Sequence, residues 1–275
     1  MTTTLRPTGP EERGPDAARV RSYAIHVNGR TVGGLRLATV PGDLPAGRVE
    51  DLRVDPAERG RGRATVAALA AEEILRDWGC RHLLAEIPPG ASAAHRLAGA
   101  LGYTERNRHL VKELAAPPAL PPGSVARPLA AASFDAWLAT ARAEYVEVWS
   151  RQGLTPAEAA AKSDADHAAA LPDGPATART ALRVLAHRGT DVGTLWLHLG
   201  AADAPRGYVY AVRVDPGHRG HGHGRSLMLL AERECLAAGA RALRLNVFTD
   251  NAPALGLYAS LGYTAAAHHY VKPLW

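Results

Sequence analysis

Cysteine is scarce in this 275-residue chain: Cys80 and Cys235 are the only two. A disulfide-stapled scaffold is thereby excluded. Lysine is nearly absent, with Lys112, Lys162 and Lys272 alone among 32 basic residues, and aromatic residues make up only 5%. No run of the sequence approaches the roughly 20 apolar residues of a membrane span, so no membrane partner is expected. The opening segment Met1–Pro7 carries no apolar leader core. Two thiols without a secretory leader predict a reducing, cytoplasmic setting. The net charge of +5 is spread along both halves as arginine. A nucleic-acid surface gathers its basic residues on one face and interleaves them with aromatics. That pattern is missing, and no nucleic-acid partner is expected. A soluble enzyme handling an anionic cofactor fits the charge better.

What is present is one unit written twice. Val54-Asp55-Pro56-Ala57-Glu58-Arg59-Gly60-Arg61-Gly62-Arg63-Ala64 returns 160 residues later as Val214-Asp215-Pro216-Gly217-His218-Arg219-Gly220-His221-Gly222-His223-Gly224. The offset persists without a gap through Gly79/Gly239, Leu101-Gly102-Tyr103-Thr104/Leu261-Gly262-Tyr263-Thr264 and Val111-Lys112/Val271-Lys272. Hydrophobic content of 47% supports two cores. Between the copies, residues 115–123 hold four prolines, which forbid helix interior and central strand alike. The expected domains are therefore 1–114, a linker at 115–123, and 124–275.

The second copy predicts two helices, from Ser133 to about Arg151 and from the Thr155-Pro156-Ala157-Glu158 capping box to about Leu171. A hairpin turning at His187–Thr190 follows, and a strand Tyr208–Val214 feeds the glycine loop. A helix to Ala238, a strand Ala242–Phe248, a helix Pro253–Leu261 and a strand near His268–Lys272 complete it. The first copy predicts the same series from its hairpin at Asn28-Gly29 onward. It has no room for the two helices, because Thr8–Pro15 is short and rich in Pro and Gly. The N-terminal copy is trimmed.

A glycine-rich turn that opens a helix aims backbone N–H groups at an anion, with the helix dipole in support. Glycine is required where the ligand approaches the chain closely. The spacing is neither that of a Walker loop, which needs Gly-Lys-Ser/Thr, nor that of a dinucleotide fingerprint. With Arg219-Gly220-His221-Gly222-His223-Gly224, Asn251 seven residues before Tyr258, and Tyr258-Ala259-Ser260-Leu261-Gly262-Tyr263, the chain resembles the GNAT acyltransferase superfamily. The resemblance implies two tandem α/β domains, each a mixed, mostly antiparallel sheet flanked by helices. It implies acetyl-CoA as acyl donor and an amine as acceptor. The loop Arg219, Gly220, His221, Gly222, His223, Gly224 and Arg225 would hold the donor's diphosphate. The backbone of Val212, Arg213 and Val214 would pair with its pantetheine, and Asn251 would help to bind it. Tyr258 would protonate the departing thiolate.

The N-terminal copy keeps its loop but has Ala98 and Ala91 where the repeat has Tyr258 and Asn251. It alone keeps carboxylates at Glu50, Asp51 and Glu86, whose counterparts are Tyr210, Ala211 and Asn246. A degenerate, non-catalytic domain is expected, with its CoA binding left open. Glu144, Glu147, His198 and Asp250 are the positions from which a C-terminal base could come, a water relay being the alternative. His218, His221 and His223 occupy variable loop positions with side chains expected to point outward, and no metal site is expected. Trp137, Tyr145, Trp149 and Trp196 read either as an acceptor pocket or as core. A non-catalytic acyl-CoA-binding sensor remains the alternative to an enzyme.

Overall fold

The computed structural model describes residues 2–14, 17–40, 45–200 and 205–274. Along the first repeat run β1 (Thr3–Pro7), β2 (Glu12–Arg13), β3 (Arg19–Val27), β4 (Arg30–Val40), β5 (Ala46–Val54), α1 (Arg63–Asp77), β6 (His82–Ile87), α2 (Ser92–Ala100) and β7 (Thr104–Glu113). The second runs through β8 (Ser124–Pro128), α3 (Phe134–Arg151), α4 (Pro156–Ala170), β9 (Thr180–His187) and β10 (Thr190–His198). It continues with β11 (Arg206–Val214), α5 (His223–Ala237), β12 (Ala242–Phe248), α6 (Ala252–Ser260) and β13 (Thr264–Pro273).

Local chemistry accounts for the helices. No glycine or proline interrupts Phe134–Arg151, and Gly153 at φ 98° ends that stretch. Thr155 accepts from the Glu158 N–H while the Glu158 carboxylate accepts from the Thr155 N–H, a closed capping box with proline in the first turn. Where α3 and α4 stand in the second repeat, the described residues of the first form the two-residue β2 and no α-helix. The sequence did not signal β2, nor the two short strands β1 and β8. Pro7 and Pro128 sit at their ends, which masks an edge strand in the sequence.

Two compact units result, and the proline-rich linker does not divide them. One comprises Met1–Asn107 with Ala267–Trp275, the other Arg108–Ala266. The strand order is β1-β3-β4-β5-β6-β13 in the first unit and β7-β12-β11-β10-β9-β8 in the second. Each unit is thus closed by the last strand of the other repeat. In the first, β13 pairs antiparallel with β6, and the Leu274 N–H donates to Arg81 O at 2.8 Å. In the second, the equivalent Leu114 N–H donates to Arg241 O at 2.8 Å. Boundaries at 114 and 124 follow the sequence repeat, whereas compactness follows the exchanged strands.

Each exchanged strand is held by the same triad. Lys112 Nζ donates to both oxygens of buried Glu232, at 2.8 and 2.9 Å, and Tyr263 Oη donates to the same carboxylate at 3.2 Å. Lys272 Nζ donates to buried Glu72 at 2.6 Å, joined by Tyr103 Oη at 3.1 Å. The core of the second unit gathers Leu110 and Leu114 from the exchanged strand with Leu195, Leu227, Leu243 and Leu245. That of the first takes Leu274 beside Ile25, Leu37, Leu75 and Leu83.

Removing one partner of a buried pair leaves an uncompensated charge, at a cost of about 3 kcal/mol. Lys112→Met is therefore expected to destabilise the second unit by about that amount in denaturant unfolding. Lys112→Met with Glu232→Gln, which removes the charge yet keeps an acceptor for Tyr263, recovers most of it. A single variant as stable as the parent refutes the lock.

Candidate functional site

In the second unit β11 pairs parallel with β12 only from Arg206↔Ala242 to Val209↔Leu245. At that point β11 bulges. Trp196 of β10 faces Ala211 and Leu197 faces Val209, so Tyr210 is the extra residue. Beyond the bulge the two strands part. The backbone of Val212, Arg213 and Val214 is thereby freed from β12, on the edge where an extended ligand can add its own hydrogen bonds.

The loop after β11 is built from turn geometry. A short 3-10 turn, Pro216–His218, leads to Arg219, whose Nε donates to Val214 O at 3.3 Å and ties the loop to the strand end. Gly220 and Gly222 lie at φ 80° and 82°, where a side chain is strained. Gly222 caps α5 without any side-chain cap, and the helix's first internal bond is Ser226 N–H to Gly222 O at 3.2 Å. The N–H groups of His223, Gly224 and Arg225 are therefore the orphan donors of the first turn, pointed at by the helix dipole. A Cβ on Gly224 would meet Leu257 Cδ2 at 3.2 Å, so that glycine also lets α6 approach α5. Arg225 is anchored by Nη2 to Ser260 Oγ at 2.6 Å.

The loop histidines do not all face outward. His223 is buried, with its ring centroid 5.1 Å from His187, 6.3 Å from His218 and 6.2 Å from His221. Burial first, and then these three neighbours, hold its pKa below the usual histidine value. An anion in the loop would reverse that tendency. Among the described residues no group of three or more His, Cys, Asp or Glu is arranged to hold a metal.

Asn251 caps α6 through Oδ1, which accepts from the Ala254 N–H at 3.2 Å, so its amide nitrogen is the part left for a ligand. Tyr258, seven residues on, is buried on α6 with its ring 5.9 Å from Tyr263. Its hydroxyl has no hydrogen-bond partner among the described residues. Burial pushes its pKa up to about 12, so the phenol stays protonated. Cys235 is fully buried against Gly207, and burial raises its pKa to about 12 as well. A thiol so placed is not a nucleophile.

Tyr258, Asn251, Asn246 and residues 208–213 line a cavity of about 1050 Å³ that extends under α3 and α4. Of the positions considered for a base, Glu144 alone lines it, and its carboxylate is paired with Arg213 Nε at 2.8 Å. Glu147 pairs with Arg151, and Asp250 accepts from Gln152. Two residues of α4 went unnoticed in the sequence because neither stands in a motif. Asp166 bonds Lys162 at 2.9 Å and also the Tyr145 hydroxyl. His167 is buried with Nδ1 2.7 Å from Ser163 O, which places the proton on Nδ1 and leaves Nε2 as an acceptor.

The N-terminal counterpart repeats the backbone. β5 and β6 pair from Ala46↔His82 to Val49↔Ala85, with the same bulge at Glu50. Its loop, however, carries its own anion. Buried Glu58 takes Arg30 at 2.5 Å, Arg61 at 3.5 Å and Arg63 at 3.8 Å. Its cavity, about 660 Å³, has Ala98 and Ala91 in the places of Tyr258 and Asn251.

The family model described as the acetyltransferase (GNAT) family matches residues 4–103 and 136–263. A mycothiol acetyltransferase of Streptomyces avermitilis is 33% identical over 91% of this chain and 79% of its own length. Another from Streptomyces scabiei is 34% identical with the same coverage. The crystal structure of a GCN5-related N-acetyltransferase from Sphaerobacter thermophilus superposes with a TM-score of 0.58 at 19% identity, covering 92% of this chain and 80% of that one.

Gly222→Glu puts bulk and negative charge at the mouth of the α5 donors, in a backbone conformation a side chain resists. It is expected to abolish acetyl-CoA binding in calorimetry. Unchanged affinity would move the donor site to the N-terminal loop.

Proposed function

We propose, from the premise that this chain belongs to the GNAT acetyltransferase family, that the C-terminal repeat performs the reaction and the N-terminal repeat does not. The chain is an acetyl-CoA-dependent N-acetyltransferase. The observation that carries the assignment is Tyr258, a buried protonated phenol in the cavity that runs along the freed edge of β11, against Ala98 in the other copy. The acceptor is a small-molecule amine.

The orphan N–H groups at the start of α5 receive the donor's diphosphate, with His221, His223 and Arg225 around it. Pantetheine adds to the free edge of β11 at Val212–Val214, which carries the thioester to the point where the strands part. The neutral amine attacks the carbonyl carbon, and the tetrahedral adduct collapses with cleavage of the C–S bond. The Tyr258 hydroxyl gives its proton to the leaving thiolate. The amine's proton is lost to His167 Nε2, directly or through water, because the carboxylates nearby are held in ion pairs. No acyl-enzyme forms, since Cys235 is sealed in the core.

Tyr258→Phe is expected to keep acetyl-CoA affinity and to lower turnover about 10²-fold. Deprotonation of Tyr258 would remove the acid as pH rises through its raised pKa of about 12. Turnover of the parent should therefore show no alkaline loss up to about pH 10, one to two pH units below that value. A tyrosine-dependent alkaline limb between pH 8 and 10 would contradict the buried phenol. His167→Gln is expected to slow turnover at pH 7 and much less at pH 9, where more of the acceptor amine is already neutral. Equal losses at both values remove His167 from the proton path.

A further inference from the structure

The duplication supplies an internal control for the cavity of the second unit. The chain has five Trp, eight Tyr and two Phe. Eight of these fifteen line this one cavity. Five of the eight stand on elements that both repeats possess: Trp196, Tyr208, Tyr210, Phe248 and Tyr258. At the corresponding positions the first repeat has Arg36, Arg48, Glu50, Pro88 and Ala98. The backbone there is the same, down to the register, for Trp196 faces Ala211 as Arg36 faces Asp51. The shared strands therefore form without rings at these places. Trp196 also packs in a core with Phe134 and Leu171 beneath the helices that the first repeat lacks, whereas Tyr210 stays open to the cavity.

The rings form a connected wall. Phe248 meets Trp149 edge-on at 5.5 Å, and Tyr145 lies 6.0 Å from Trp149. Trp196 is stacked on Tyr210 at 4.5 Å and on His167 at 5.4 Å. Tyr210 remains 43% exposed in spite of that stack, which leaves much of its surface open. Against this wall the charged groups cancel. Glu144 and Asp215 share Arg213, Asp191 holds Arg127, and Asp166 holds Lys162. A polycationic acceptor would find no unpaired carboxylate among them, and an acidic one no unpaired arginine.

We infer that the acceptor is an amine carried on a flat aromatic or heteroaromatic ring, seated against the exposed side of Tyr210, which Trp196 backs from within. The inference rests on the reading that the C-terminal repeat is the catalytic one. Ring stacking fixes the body of the acceptor and leaves its amino group to reach the thioester beside Tyr258. Neutral walls suit it, because the amine must shed its charge before it attacks.

The test uses the full chain with acetyl-CoA and follows thiol release with tryptamine, phenethylamine, spermidine and glucosamine. The arylalkylamines are expected to exceed the other two in kcat/KM by about ten-fold or more. Tyr210→Ala should raise KM for tryptamine about ten-fold with kcat within about two-fold, and Tyr210→Phe, which keeps the ring, should match the parent. Acetyl-CoA affinity should be unchanged in both variants. Preference for spermidine or glucosamine overturns the inference, as does a Tyr210→Ala variant with unaltered KM. So does failure to acetylate any of the four while acetyl-CoA still binds in a Gly222-dependent manner, a result that leaves the donor site standing. Tryptamine acetylation that survives Gly222→Glu would instead refute the C-terminal reading and not the acceptor class.

Discussion

The second unit depends on a carboxylate that has no business being buried alone. Glu232 sits on the inner face of α5, 3% exposed, among leucines. Ionised there without a partner it would cost several kcal/mol. Lys112 arrives on a strand from the other repeat and brings its ammonium within 2.9 Å of both oxygens. The same strand lays Leu110 and Leu114 on the core. Charge neutralisation and apolar closure therefore depend on one segment. α5 also presents the orphan donors of the glycine loop, so the helix with those donors at one end is braced by a cation at its middle.

That Lys272, Glu72 and Tyr103 repeat the triad in the first unit explains why lysine, nearly absent elsewhere, is kept in these two places. The lysine ammonium also lies over the tyrosine ring in both, at 5.6 Å for Lys112 on Tyr263 and 5.4 Å for Lys272 on Tyr103. A long unbranched stem that delivers a compact charge past a ring suits lysine, whereas arginine's planar fork is broader and more weakly hydrated. An arginine-rich chain has therefore kept lysine where the geometry of a buried pair demands it.

The sequence disclosed most of the fold because its signals were local. The capping box at Thr155, the glycines after each helix and the loop between β11 and α5 are short-range chemistry, and the elements fall within a few residues of their expected bounds. The strand exchange was invisible for the opposite reason. Residues 104–113 and 264–273 repeat one another, so either could fill either edge, and a pattern of alternating side chains does not say whose sheet it joins. The site divided in the same way. Gly222, Asn251 and Tyr258 are motif positions; Asn251 and Tyr258 line one cavity, and Gly222 caps α5. His167 and Asp166 belong to no motif and emerge only when α4 is packed over β10. Glu58 was legible as a residue but not as the neutraliser of its own loop, because Arg30 reaches it from a hairpin distant in sequence.

One backbone has thus been given two electrostatic fates. Both repeats have the bulge, the parting strands and the left-handed glycines, so the capacity to cradle an anion belongs to the chain geometry itself. What differs is whether the protein fills that capacity. In the first repeat a fixed carboxylate is surrounded by Arg30, Arg61 and Arg63, and an incoming diphosphate would have to compete with it for the same cations. In the second the corresponding position is His218, the cradle holds imidazoles, and burial together with their mutual repulsion holds the pKa of His223 down. A site whose positive charge develops on binding costs the free fold less than a permanent cluster of cations would. An anion bound in that loop would raise the pKa of His223, so its binding would carry proton uptake with it.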